Sequence, residues 1–129
     1  MRAIKFRAWH KGRKGTSWID SISPGMIYED RPGDVFRWLE ENQPIEIMQF
    51  TGLTDKKGKE IYEGDVVKWE TESHENWETK PCTKISFVEY RNKGFWIHDE
   101  SFGYEGEELW DWKEIEVIGN RFEHPNLIK

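Results

Sequence analysis

Short segments of alternating apolar and polar residues, each closed by a turn bearing glycine or proline, recur along almost the whole chain. That spacing admits little besides a small, mainly β fold. Ile4, Phe6 and Ala8 alternate with Lys5, Arg7 and Trp9, the period of a half-buried strand. Lys11 to Gly15 reads as a turn, and Thr16 to Ile22 as a second strand closing an N-terminal β-hairpin. Ser23-Pro24-Gly25 ends that strand, and a loop follows through Asp30-Arg31-Pro32-Gly33. Asp34 then has the character of a helix N-cap, with Val35, Trp38 and Leu39 at helical spacing behind it. One short helix is expected over 35–41, stopped by Asn42 and Pro44.

From there the pattern is β. Strands are expected over Ile45–Phe50, Asp65–Glu70, Ile85–Tyr90, Phe95–Glu100, Leu109–Trp112 and Ile115–Ile118. Gly58 closes the turn Asp55-Lys56-Lys57-Gly58, and Gly64 gives a sharp entry into the strand carrying Val66 and Val67. Arg91 to Gly94 reads as a hairpin loop and Gly119-Asn120 as the close of the last strand. Thr71 to Pro81 is polar apart from Trp77 and reads as an excursion between strands; Ser101 to Glu108 reads as an acidic loop. Together these predict a small SH3-like barrel with the N-terminal hairpin and one short helix as accessories. No linker or internal repeat divides residues 1–129, so a single domain is expected.

The core must be lean, because hydrophobic residues make up 36% and charged residues 34% of the chain. Eight tryptophans compensate, since large rings bury much area each, and Trp38, Trp69 and Trp96 are assigned to the core. No stretch approaches the roughly 18 apolar residues of a membrane helix, and the N-terminus lacks the apolar run of a secretory signal. With Cys82 as its one cysteine, the chain is expected in a reducing cytoplasm.

Charge is segregated. Arg2, Lys5, Arg7, Lys11, Arg13 and Lys14 place +6 in the first 15 residues, and the rest must carry −12 to reach the total of −6. Acids concentrate between Glu60 and Glu78 and between Asp99 and Glu116. Such blocks mark an interaction arm or opposed faces that pair. The expected interaction patch is therefore Arg2, Lys5, Arg7, Trp9, Lys11, Arg13 and Lys14. Rings beside cations could also stack on bases while the cations hold phosphates, which makes nucleic-acid binding by this hairpin the alternative.

Catalytic chemistry finds no footing. His10, His74, His98, His124 and Cys82 show none of the spacings of a preformed metal site, so they read as solvated or surface groups and no metal is expected. Cys82 has no nearby histidine to act as its base, and the paired carboxylates Glu60/Glu63, Glu107/Glu108 and Asp111/Glu114 sit in polar runs. No glycine-rich phosphate cradle is present. The expectation is no enzyme, no catalytic residue and no cofactor.

Three blocks carry a likeness. They are Met1 to Trp9 (MRAIKFRAW), Met48 to Val67 (MQFTGLTDKKGKEIYEGDVV) and Glu116 to Pro125 (EVIGNRFEHP). Each resembles the corresponding stretch of the YopX family of phage and prophage proteins, from one end of the chain to the other. The resemblance implies a β-rich fold and a phage or prophage origin, and no activity. The resulting expectation is a non-catalytic accessory protein in the bacterial host cytoplasm, binding a host or phage protein or forming a homo-oligomer.

Overall fold

A computed structural model describes residues 4–18, 20–91, 94–99, 104–108 and 114–128. Contacts divide the chain into two compact units, Met1–Gly52 and Leu53–Lys129.

In the first unit, β1 (Phe6–His10), β2 (Gly25–Tyr28) and the start of β3 (Ile45–Thr54) form an antiparallel array with β1 in the middle. α1 (Asp34–Glu40) packs on β1, and Ala8, Val35 and Ile45 are buried with Phe6, Trp38 and Ile47 against them. The N-terminal hairpin is present, but its second strand is β2 and not Thr16–Ile22. That stretch pairs with the chain before it through an isolated bridge between Arg13 and Ile22. The apolar residues of Gly25–Tyr28 find both a ladder and a shielded face beside β1, whereas Trp18 is 93% exposed. Burial along β1 is also not one-sided: Arg7, on the face opposite Ala8, is 3% exposed.

Asp34 does not cap α1. Gly33 takes the cap position with φ +89, and Asp34 is the first helical residue. Its Oδ2 instead accepts from the amides of Asp30 and Arg31, 3.0 and 2.9 Å away, which holds the preceding loop. The amide of Arg31 first, then that of Asp30, keeps the Asp34 carboxyl below its ordinary pKa against the opposing effect of desolvation. Glu29 serves the helix start, with Oε2 accepting from Val35 N at 3.1 Å and Oε1 from Phe6 N at 3.0 Å. One carboxylate so ties β1 to α1. Asn42, at φ +60, ends the helix as expected.

The second unit holds β4 (Glu60–Tyr62), β5 (Asp65–Glu75), β6 (Glu78–Arg91), β7 (Gly94–Asp99), β8 (Tyr104–Glu108) and β9 (Glu116–Asn120). Five of these form an antiparallel sheet in the order β8-β7-β6-β5-β9. Ile61, Val67, Val88, Ile97, Ile115 and Val117 make its core, flanked by Trp69 and Phe95. The mainly β class with one α-helix is as expected. Part of Ser101–Glu108 is strand β8 and not loop, since it adds to the open edge of β7. Leu109–Trp112 lies outside the described residues.

Val66 and Val67 are both fully buried on opposite faces of β5, and only Val67 points into that core. Val66 pairs with Gly119 on β9, where the C-terminal turn approaches closely. A Cβ on Gly119 would lie 2.6 Å from the His124 ring, whose Nδ1 accepts from Asn120 N at 3.3 Å. Gly119→Ala must push that ring aside, so a loss of about 1–3 kcal/mol is expected. Urea unfolding checks this as a lower midpoint at unchanged slope; a midpoint equal to wild type would mean that the ring swings away freely.

Candidate functional site

The structure places the members of the expected basic patch in different surroundings. Arg2 lies outside the described residues. Arg7 is 3% exposed, with Nη2 3.7 Å from Met48 Sδ, so it is withdrawn from any surface. Lys5 sits 4.7 Å over the Phe50 ring, and Trp9 is half-buried. Lys11 pairs with Glu46 at 2.9 Å, and an Arg13 guanidinium nitrogen lies 3.5 Å from Asp20 O. Lys14 is exposed. Of the described cations here, only Arg7 is buried by the fold, whereas Lys11, Arg13 and Lys14 stay exposed.

His10 is buried rather than a surface group. Its Nδ1 accepts from Gly12 N at 3.0 Å, which leaves Nε2 to donate to Gln43 Oε1 at 3.1 Å. Among the described residues, no three His, Cys, Asp or Glu side chains converge to hold a metal ion.

The protruding feature is one that sequence reading took for a connecting excursion. β5 and β6 continue past the sheet as a two-stranded ribbon. β9 pairs with β5 over Asp65–Lys68 and β7 with β6 over Val88–Arg91. From Trp69 and Lys84 outward, the two strands pair with each other through to Glu75 and Glu78. Cross-strand contacts stiffen it: Thr83 Oγ1 donates to Glu70 at 2.9 Å, and Thr79 Oγ1 lies 3.2 Å from His74 Nδ1. Pro81, opposite Glu72, brings no N–H to the ladder, a substitution tolerated where a strand edge is open.

Asn76 and Trp77 turn the ribbon, both left-handed at φ +52 and +66. Such two-residue turns need positive φ twice, which asparagine tolerates and glycine prefers at the second position. Here that position holds tryptophan, with its side chain fully in solvent at 105% exposure. A bulky residue with positive φ is strained, and strain of this kind is retained where something other than folding requires it.

The base of the ribbon carries opposite charge. In the turn leaving β3, buried Asp55 accepts at Oδ1 from Lys57 N and Lys59 N, both 2.9 Å away, and at Oδ2 from Val117 N at 2.8 Å. Burial pushes the Asp55 carboxyl up, but the amides of Val117, Lys59 and Lys57 more than offset it, so its pKa lies below the ordinary value. The turn so held presents Lys57 to Glu116 at 2.6 Å, while Lys68 and Lys56 approach the same carboxylate at 3.5 and 3.9 Å. The Lys57 contact is the main reason that Glu116 is held below its ordinary pKa and Lys57 above its own. Three ammonium groups share one carboxylate. Ile85, 45% exposed, pairs with Lys68 in the ladder and lies beside this cluster.

These shifts fix a pH dependence. Asp55 and Glu116, with depressed folded pKa values, add stability that is present above their ordinary values of 3.8 and 4.5 and lost as pH falls through the folded ones. Lys57, raised, adds stability present below its ordinary 10.5 and lost as pH climbs through its folded value. Urea midpoints should therefore be level for this cluster between about pH 5 and pH 10 and fall at both ends. A midpoint that rises below pH 4 would contradict the assignment.

Comparison with known proteins places the geometry. The family model described as YopX protein matches residues 5–129. The chain belongs to the YopX family. A crystal structure of protein EF1440 from Enterococcus faecalis matches with a TM-score of 0.55 and 22% sequence identity, over 100% of both chains. At that identity it supports the fold of this YopX family member alone. No curated protein matches the chain. Within the YopX match lie the lysine turn at Asp55–Lys59, the ribbon and the Trp77 tip. The middle block that carried the resemblance also contains Asp55, Lys56 and Lys57. No motif in the sequence flagged them as a cluster, because Lys68 and Glu116 join them only through the sheet.

Proposed function

We propose that this YopX family protein is a non-catalytic accessory module of phage or prophage origin that works in the host cytoplasm by binding another protein through its ribbon. The β-rich scaffold, read as an SH3-like barrel, holds the ribbon out, and Trp77 is the contact. The observation carrying this reading is the strained, fully exposed tryptophan at the tip, where glycine would be cheaper for folding. Tryptophan is also the side chain most enriched among residues that dominate protein interfaces. The nucleic-acid alternative drew on the N-terminal cations, and it loses support with Arg7 buried and Lys11 paired to Glu46.

A photo-crosslinking side chain placed at position 77 in producing cells tests the reading. Protein adducts should form there well above the level at an exposed control position such as Glu41. Equal labelling at the two positions would dismiss the ribbon as a binding element.

A further inference from the structure

We propose that the partner of the ribbon is a second copy of this chain, the Trp77 tip of each ribbon resting on Ile85 and Lys68 at the base of the other. This inference rests on the protein-binding reading above and names its partner.

Charge makes the first part of the argument. Beyond the Glu70–Thr83 pair the ribbon carries Glu72, Glu75 and Glu78 against Lys80, a net −2 with histidine neutral. At its base, Lys56, Lys57 and Lys68 surround Glu116, leaving +2. The two ends are complementary in sign. They are also about 30 Å apart along the strand, at roughly 3.3 Å per residue from Lys68 to Trp77. A paired two-stranded ribbon does not fold back on itself over that length, and at physiological salt the attraction fades within about 8 Å. The ends of one ribbon therefore cannot neutralise each other, whereas those of two antiparallel ribbons can.

The apolar groups fit the same arrangement. Trp77 is fully exposed at the acidic end and Ile85 is exposed at the basic end, directly opposite Lys68 in the ladder. Surface ion pairs alone contribute little, so an indole covering Ile85 must provide most of the affinity, with the charges setting direction. Two-fold symmetry then makes both contacts at once, since tip and base lie on the same hairpin.

Sedimentation equilibrium of the full chain, from about 1 µM to about 100 µM, reads the dimer directly. The dimer should weaken as salt rises from about 50 mM to about 500 mM. Trp77→Ala should raise the dimer dissociation constant by on the order of 100-fold, the scale of a tryptophan hot spot. Trp77→Gly should do the same while raising the thermal midpoint of the dilute monomer by roughly 2–4 °C, since glycine removes the strain at φ +66. Ile85→Glu should also give a monomer.

Mixing decides the geometry. In a heterodimer of Trp77→Ala and Ile85→Glu chains, one tip-to-base contact is intact, so two monomeric variants should associate when combined. A wild-type chain that stays monomeric throughout would overturn the proposal, as would a dimer indifferent to Trp77→Ala or a mixture that fails to associate. If the chain is monomeric while position 77 still crosslinks to a different protein in cells, the protein-binding reading survives and self-docking alone falls.

Discussion

Asp55→Ala should lower the free energy of unfolding by about 3–5 kcal/mol, the largest effect of any single substitution proposed for this protein. Hydrogen bonds to an ionised acceptor contribute about 1.5–3 kcal/mol each, and this carboxylate accepts three from backbone amides. The three losses are unequal. Lys57 and Lys59 lie in an exposed turn, where water can replace the carboxylate, but Val117 sits in the core, 8% exposed, and its amide has nowhere else to donate. The cost is therefore less than a full sum. Asp55→Asn, keeping one acceptor oxygen and turning an amide toward the donors, should lose about half as much. Both differences must shrink as pH falls below the ordinary 3.8 toward the lower folded pKa of Asp55, where the wild-type carboxylate itself takes a proton. Urea melts of the three proteins at neutral and acid pH would reveal this convergence. If the gap stayed constant with pH, the lost interaction would be steric and not ionic.

Gly64→Val comes second, at about 1–3 kcal/mol from backbone strain alone. Gly64 stands at φ +87 between β4 and β5. Its amide donates to Val88 O at 2.7 Å, and its carbonyl accepts from Arg121 N at 2.8 Å. Both peptide groups are held, so the residue cannot rotate to a negative φ without breaking one of them. A β-branched side chain is the worst occupant of that region. Gly64→Ala should cost less than Gly64→Val, and thermal midpoints should fall by several degrees in that order. A valine variant melting with wild type would show that the turn relaxes, which the two hydrogen bonds argue against.

Much of the fold was legible locally. Period-two alternation located β1, β3, β7 and β9 to within a few residues and the inner parts of β5 and β6, because a strand with unlike faces must alternate. The positive φ at Gly58 and Gly64 and the left-handed stop at Asn42 follow from sterics that act within one or two residues. The family likeness too was readable without coordinates.

What tertiary structure alone decided depends on partners far off in sequence. Thr71 to Pro81 lacks an apolar face because a ribbon that leaves the sheet has no core to cover, so polarity disguised it as a loop. Arg7 is buried against Met48, 41 positions away, a contact its own alternation does not show. Glu29, and not Asp34, accepts from the Val35 amide at the start of α1, because the loop between them brings its carboxylate there. Asp55 meets Val117 across 62 positions, and Glu116 gathers lysines from a turn and from β5 that share no local motif. Alternation and turn chemistry are local energies and can be read in order along the chain. Burial, charge clusters and strand order are set by which segments pair, which a single sequence does not spell out.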